Sequence, residues 1–302
     1  MSHILFGMGA KGRLVEDLQV GLVTNGVPLE KIDGDFGRKT RDAVRVFQLR
    51  EGTDPTGAIT RDEWTSITGK PVPSLFERSL QLTASFEGHN YTLAVGNFDG
   101  AWLTWGIIGF TLKHGEVQRI VLEIENDRPH LITDAFSADG AELIRIMKAP
   151  AVQQRAWANT VTVGGHRLAE PWRSGFARLG QFAEVQDIQN RRAHDNYFMP
   201  AARVAATLGV LSESGIALCF DIHVQNGGIK PEIRQVLTPL VPGEPEQPLL
   251  ERIAREVAHS AKPEFRNDVL MRKMTIATGS GTVHGRQYTL SNWGLLPVAA
   301  VV

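Results

Sequence analysis

Cysteine is nearly absent. The 302 residues contain one, Cys219, which excludes an intramolecular disulfide and any multi-thiolate metal site. It lies in an apolar run, residues 216–220, and reads as a small buried hydrophobe. Excess charge is absent too: 32 basic and 33 acidic residues leave a net charge of -1. That balance argues against nucleic acid or an anionic membrane surface as partner. No run reaches the roughly 18 apolar residues that a membrane helix needs, so no membrane span is expected. The opening MSHILFGMGAKG has neither a charged n-region nor a long apolar core, so synthesis in a cytoplasm without a secretory signal is expected. The nine histidines are scattered without metal-ligand spacing, so neither zinc nor another cofactor is expected. No nucleophile elbow occurs. The glycine-rich run 279–285 has the wrong spacing and setting for a dinucleotide fingerprint.

What is present suffices for a core: 42% of the residues are apolar, in a length that suits one large domain or two ordinary ones. The chemistry concentrates in residues 86–110, FEGHNYTLAVGNFDGAWLTWGIIGF. This stretch holds two carboxylates, Glu87 and Asp99, among mostly apolar and aromatic neighbours. Glu87 follows Phe86 at the end of a helix begun near Leu75, whereas Asp99 sits in a glycine-flanked turn. A carboxyl beside apolar rings resists ionisation, and one in an open polar turn ionises normally. Glycoside hydrolysis requires that division of an acid from a base. On the residues alone, two solvated surface acids are the simpler reading.

Residues 1–69 read as a small three-helix module. Leu14, Val15, Leu18 and Leu22 have helical spacing, and so do Ala43, Val44 and Phe47. Thr60 and Glu63 form a capping box ahead of a short third helix. Phe36, Phe47 and Trp64 are expected in its core. Residues 70–73, Lys-Pro-Val-Pro, form a short stiff linker, and residues 74–302 follow as a second domain. There, 115–126 is expected to be helical with an inward stripe of Val117, Ile120, Val121 and Ile124. Residues 138–148 are expected to be helical with Leu143, Ile144 and Met147 inward. Residues 150–178 read as loops or a short hairpin over a cleft, with Trp157 and Trp172 either stacking on sugars or packing in the core. Further helices are expected over 181–192, 201–208, 212–226 and 248–261. Residues 275–295, with Tyr288, Leu290 and Trp293, read as a terminal strand or extended arm.

Two resemblances sharpen this. The pattern Asp33-Gly34-x-Phe36-Gly37-x-x-Thr40-x-x-Ala43-Val44-x-x-Phe47-Gln48, then Gly57-x-Ile59-Thr60-x-x-x-Trp64, resembles the peptidoglycan-binding module of cell-wall hydrolases. The resemblance implies a shallow ligand groove near the turn after the Asp-Gly element. The run Gln81-Leu82-Thr83-Ala84-Ser85-Phe86-Glu87, then Asp99-Gly100, then Leu103 through Phe110 with its Gly-Ile-Ile-Gly turn, resembles the catalytic segment of glycoside hydrolase family 46. That family comprises the chitosanases, and muramidases share its lysozyme-like fold. The resemblance implies Glu87 as general acid, Asp99 as general base and Thr104 as a hydroxyl holding the attacking water. The Glu-to-Asp connection is shorter than in the chitosanases. The run His194 through Ala201, with Tyr197-Phe198-Met199-Pro200, and the pair Phe220-Asp221 are also similar to the family, although His194 stands where the family has arginine. A carboxylate on the apolar helix around Asp221 needs a cation. The resemblance implies Arg266 and Arg272, giving an Asp221–Arg266–Arg272 network behind Glu87. An ordinary structural ion-pair network is the other reading.

The implied fold is mainly α, an α+β lysozyme-like class, with a two-lobed lysozyme- or chitosanase-like domain behind the three-helix module. The implied activity is hydrolysis of peptidoglycan glycan strands by an inverting muramidase, acting as a monomer. Without a signal peptide, reaching the wall would require a holin or a secretion machine, as for an endolysin or an exported toxin. A chitosanase is the nearest rival, and a non-catalytic wall-binding protein the rival from another class. The stiff linker leads one to expect that removing residues 1–70 leaves a folded hydrolase.

Overall fold

The computed structural model describes residues 3–88, 90–97 and 100–298. It is mainly helical with short antiparallel strands. Strand β1 (Ile4–Phe6) pairs with β2 (Ile59–Thr60) and closes the N-terminal module around helices α1 (Arg13–Thr24), α2 (Arg38–Arg50) and α3 (Arg61–Thr68). Phe36, Phe47 and Trp64 are buried in its core with Leu18, Leu22 and Val44. Both halves of the capping box at Thr60 and Glu63 form. The turn 33–35 is built on one buried side chain. The Oε1 of Gln19 accepts the amides of Asp33 and Gly34, each at 2.9 Å, and its Nε2 donates to Asp33 Oδ1 and Thr40 Oγ1, each at 3.0 Å.

Helix α4 (Leu75–Glu87) starts at a second capping box, where Ser74 N donates to Glu77 Oε2 and Glu77 N to Ser74 Oγ. From Arg78 to Phe86 every position but Ser85 is buried, so α4 is an interior helix rather than an amphipathic surface one. Gly88 follows at φ 66°, a left-handed residue of the kind that ends helices at glycine.

The described residues divide into two compact units. One joins the chain through Phe86 to everything from Asp195 onward; the other is Glu87–His194. In the second unit, β3 (Ala94–Val95), β4 (Thr104–Trp105) and β5 (Phe110–Thr111) form an antiparallel sheet in that order. The Gly-Ile-Ile-Gly turn between β4 and β5 needs Gly106, which has φ 90°. A Cβ there would fall 2.4 Å from Gln189 Oε1, the atom that accepts the Ile107 amide at 3.0 Å. Helices α5 (Glu116–Asp127), α6 (Pro129–Phe136), α7 (Gly140–Met147) and α8 (Ala151–Thr160) follow. Next come the hairpin β6 (Thr162–Val163) and β7 (Arg167–Leu168), then α9 (Trp172–Leu179) and α10 (Ala183–Ala193).

Two expectations are corrected in this unit, and one helix went unread. The inward positions of α7 are Leu143, Ile146 and Met147, with Ile144 only half-buried. Helix α6 was hidden in the sequence by its start at Pro129, immediately after α5. Residues 150–178 are mostly helical, and only the Gly164-Gly165 hairpin is as expected. Trp157 and Trp172 are each 8% exposed and meet edge-to-face at 5.1 Å, with Phe136 against Trp172. They are core residues, and each such ring pair contributes about 0.5–1.5 kcal/mol beyond area burial.

A π-helical turn, His194–Phe198, continues α10 into α11 (Met199–Thr207). Helix α12 (Glu213–Asn226) is capped by Ser212 and buried on every side as far as Ile222. Helices α13 (Pro231–Val236), α14 (Gln247–Ser260) and α15 (Arg266–Thr278) follow, and α14 packs along α15. The terminal arm is a hairpin, β8 (Ser280–Val283) with β9 (Arg286–Thr289), followed by a 3-10 turn ending at Trp293. Thr275 belongs to α15 rather than to the arm.

The N-terminal module lies in the same compact unit as α4 and these C-terminal helices. Gly7 N donates to Asn292 O at 3.0 Å, and Asn292 Nδ2 donates to Met8 O at 3.0 Å. A Cβ at Gly12 would sit 1.8 Å from Gln81 Oε1, so the module's backbone lies directly on α4. The buried pair Arg78–Glu213 joins α4 to α12 through two parallel bonds of 2.9 Å, and Arg61 of α3 reaches the same carboxylate at 3.2 Å. Burial alone would raise the Glu213 pKa, yet the bonds from Arg78 hold it below the ordinary carboxylate value.

Candidate active site

The candidate acid, Glu87, is the last residue of α4 and half-buried. The end of that helix is held tightly in the first unit. The ring of Phe86 lies 4.6 Å from that of Tyr288, and Arg272 Cζ sits 5.0 Å from its centroid. One turn earlier, the Thr83 hydroxyl donates to Asp221 Oδ1 at 2.9 Å.

Asp221 is fully buried, and its partners are Arg272 and Lys273. Arg272 Nη2 donates to Oδ1 at 2.6 Å and its Nε to Oδ2 at 3.0 Å, while Lys273 Nζ meets Oδ2 at 2.5 Å. Burial pushes this carboxyl up, but the Arg272 and Lys273 cations outweigh it and hold the group down at about 2. Arg266 is not in the cluster. It is exposed at the start of α15, and its Nε donates to Ala261 O at 3.1 Å. The reason is position along the helix: Arg266 is the first residue of α15, about 9 Å of axial rise before Arg272, whereas Lys273 is adjacent to Arg272 and buried. Sequence reasoning missed Lys273 because an Arg-Lys pair ordinarily reads as surface charge.

Thr104 is on β4, the middle strand of its sheet, half-buried and opposite Val95 and Thr111. Trp105 points inward onto Phe176 at 5.2 Å, so strand alternation turns Thr104 to the other face. Asp99 lies in the connection between β3 and β4, outside the described residues. The flanks of that connection are closed by Asn97, which sequence reasoning also missed. Its Oδ1 accepts the Trp102 amide at 3.1 Å, its N donates to Thr162 Oγ1 at 2.9 Å, and its Nδ2 donates to Asn159 Oδ1 at 2.7 Å. The signal available was the Asn97-x-x-Gly100 run about Asp99, a composition too common to single out. Trp102 and Gly100 both have left-handed backbones, φ 69° and 86°, as a tight reversal requires.

Cys219 is buried and its thiol is pushed up to about 12 by burial, with the Glu246 charge adding to the rise, so it stays a protonated core residue. Among the described residues no group of three metal-ligating side chains occurs, and no helix is long and apolar enough to cross a membrane. In the module, a concavity of about 260 Å³ opens beside the turn 33–37, lined by Gln19, Lys31, Asp33, Asp35, Arg38 and Thr40.

The architecture is a helical peptidoglycan-binding module joined to a lysozyme-like fold of the chitosanase kind. Residues 11–67 match the family model of the putative peptidoglycan binding domain. The fold is similar to a family 46 chitosanase from Gynuella sunshinyii solved with chitotetraose, at 17% identity and a TM-score of 0.55, over 72% of this chain and 98% of that one. It is also similar to a variant chitosanase from Bacillus subtilis MY002 solved with six GlcN units, at 17% identity and a TM-score of 0.51, over 70% of this chain and 94% of that one. No curated protein matches the sequence.

Proposed function

We propose that the protein is a glycan hydrolase of the muramidase type, cleaving the β-1,4 bond between N-acetylmuramic acid and N-acetylglucosamine in peptidoglycan. Glu87 protonates the leaving oxygen, Asp99 takes a proton from water, and Thr104 steadies that water, in a single displacement. The observation that carries the substrate is the wall-binding module at residues 11–67, packed in the same compact unit as α4. A module of that kind raises local concentration on an insoluble polymer without new contacts at the reacting bond. Its concavity at the turn 33–37 is the proposed docking groove for the strand. Arg272, pinned by Asp221 and stacked on Phe86, fixes the backbone that presents Glu87. The biological setting proposed is wall lysis after release from the cytoplasm, as an endolysin or an exported antibacterial enzyme.

A chitosanase activity is the second reading, favoured by the glucosamine oligomers bound to the similar solved chitosanases. One experiment separates the two. Soluble fragments released from purified peptidoglycan and from chitosan are examined by mass spectrometry. Reducing-end muramic acid supports the muramidase; reducing-end glucosamine from peptidoglycan, anhydro ends, or cleavage of chitosan alone would sink it.

A further inference from the structure

The last hairpin has no place in the reading so far, yet it meets the candidate acid's helix at one point. Helix α4 ends with carbonyls that its own backbone leaves without partners, as all helices do. Two of them are taken by side chains of the hairpin. Tyr288 Oη donates to Ser85 O at 3.3 Å, and His284 Nδ1 lies 3.2 Å from Phe86 O. The other ring nitrogen of His284, Nε2, lies 2.6 Å from Asp268 Oδ1 on α15, one turn before Arg272. Both nitrogens therefore face oxygen atoms, and the ring bridges the end of α4 to α15.

The backbone makes the choice of histidine costly. Val283 pairs with Arg286, leaving His284 and Gly285 as a two-residue turn with φ 48° and 74°. Both values are left-handed, the type I′ geometry that favours asparagine and glycine. A histidine held there departs from local preference, and such departures cluster where a side chain has a task.

We propose that the hairpin β8–β9 is the C-terminal cap of the helix carrying Glu87, with His284 as its positioning residue. His284 acts through the Phe86 carbonyl, one residue before Glu87, and Tyr288 assists by ring contact and hydroxyl. The inference rests on Glu87 being the acid.

The test compares four full-length variants on soluble glycan fragments: His284→Gly, Tyr288→Phe, Thr282→Ala and Glu87→Gln. His284→Gly suits the turn and deletes only the ring. It should lower kcat by about 10- to 100-fold with KM within about twofold, the scale of a displaced catalytic group. Tyr288→Phe keeps the ring contact and should lose less. Thr282→Ala removes the hairpin's bond to Gln287 Oε1 without touching α4, and should leave kcat unchanged. Amide exchange over residues 82–88 should quicken in His284→Gly and stay as wild type in Thr282→Ala. Wild-type exchange and kcat in His284→Gly beside an inactive Glu87→Gln would overturn the capping role. Equal losses in His284→Gly and Thr282→Ala would also overturn it, since they would reduce the effect to hairpin folding. An active Glu87→Gln would instead overturn the assignment of the acid, and the exchange measurement would still decide whether the hairpin caps α4.

Discussion

Thr83 on α4 donates its hydroxyl to Asp221 on α12 across 2.9 Å, with both residues buried. Asp221 also holds Arg272, and Arg272 lies over Phe86. Two side chains, Asp221 and Arg272, thus link Thr83 to Phe86, the residue preceding Glu87.

Breaking that pair should be expensive. Arg272→Ala leaves Asp221 with one cation in a dry site, a loss on the order of 3–5 kcal/mol, and activity should fall with it. Arg266→Ala should change stability by no more than about 0.5 kcal/mol, as for a surface substitution. Chemical denaturation of both variants checks this, and equal effects would mean the pairing with Asp221 is misassigned.

Acid should weaken the fold through the same carboxylate. The Asp221 pKa is lowered from 3.8 to about 2, so its contribution is complete above about pH 4 and is lost as pH falls through 2. That contribution is on the order of 2 kcal/mol. The Asp221 carboxyl carbon followed by NMR should titrate near pH 2; a midpoint near 4 would show an unpaired group.

Glu87→Gln keeps size and hydrogen bonding but removes the proton donor. Turnover should fall by about 100- to 10,000-fold with folding intact. If Asp99 acts as base for a water, the product of a β-linked substrate emerges as the α-anomer and Asp99→Asn traps no glycosyl-enzyme. Early-time NMR of the product reads the anomer, and β product would replace single displacement by a retaining mechanism.

The packing of the module changes what truncation should do. Removing residues 1–70 takes away Arg61 from Glu213, uncovers Gln81 and strips Met8 and Gly7 from Asn292. The remaining residues should melt several degrees lower rather than behave as an independent domain, and Glu213→Ala should be worse, since Arg78 is then a buried charge without a carboxylate. Thermal melts of the two variants give the answer; an unchanged melting temperature on truncation would mean these contacts carry no stability.

Much of the architecture follows from local chemistry. The capping box at Thr60, the apolar stripes of α1, α2, α5 and α14, and the placement of Glu87 at the end of α4 all rest on spacings within a few residues, and such spacings survive in any tertiary context. The tryptophans show the limit. Whether Trp157 and Trp172 face a sugar or each other depends on Phe136, two helices away, and no local pattern encodes that contact. The partners of Asp221 show the same limit: a buried carboxylate demands a cation, but position along α15 and its packing against α12 choose Lys273 over Arg266 beside Arg272. The chain by itself determined helices α1 to α5, α7, α10 to α12 and α14, where the helix bearing Glu87 ends and that Asp221 needs a counter-charge. Tertiary structure alone decided which cations answer it, that the module packs on α4, and that a histidine some two hundred residues away reaches the carbonyl beside Glu87, because these are contacts between segments whose separation in sequence carries no periodic signal.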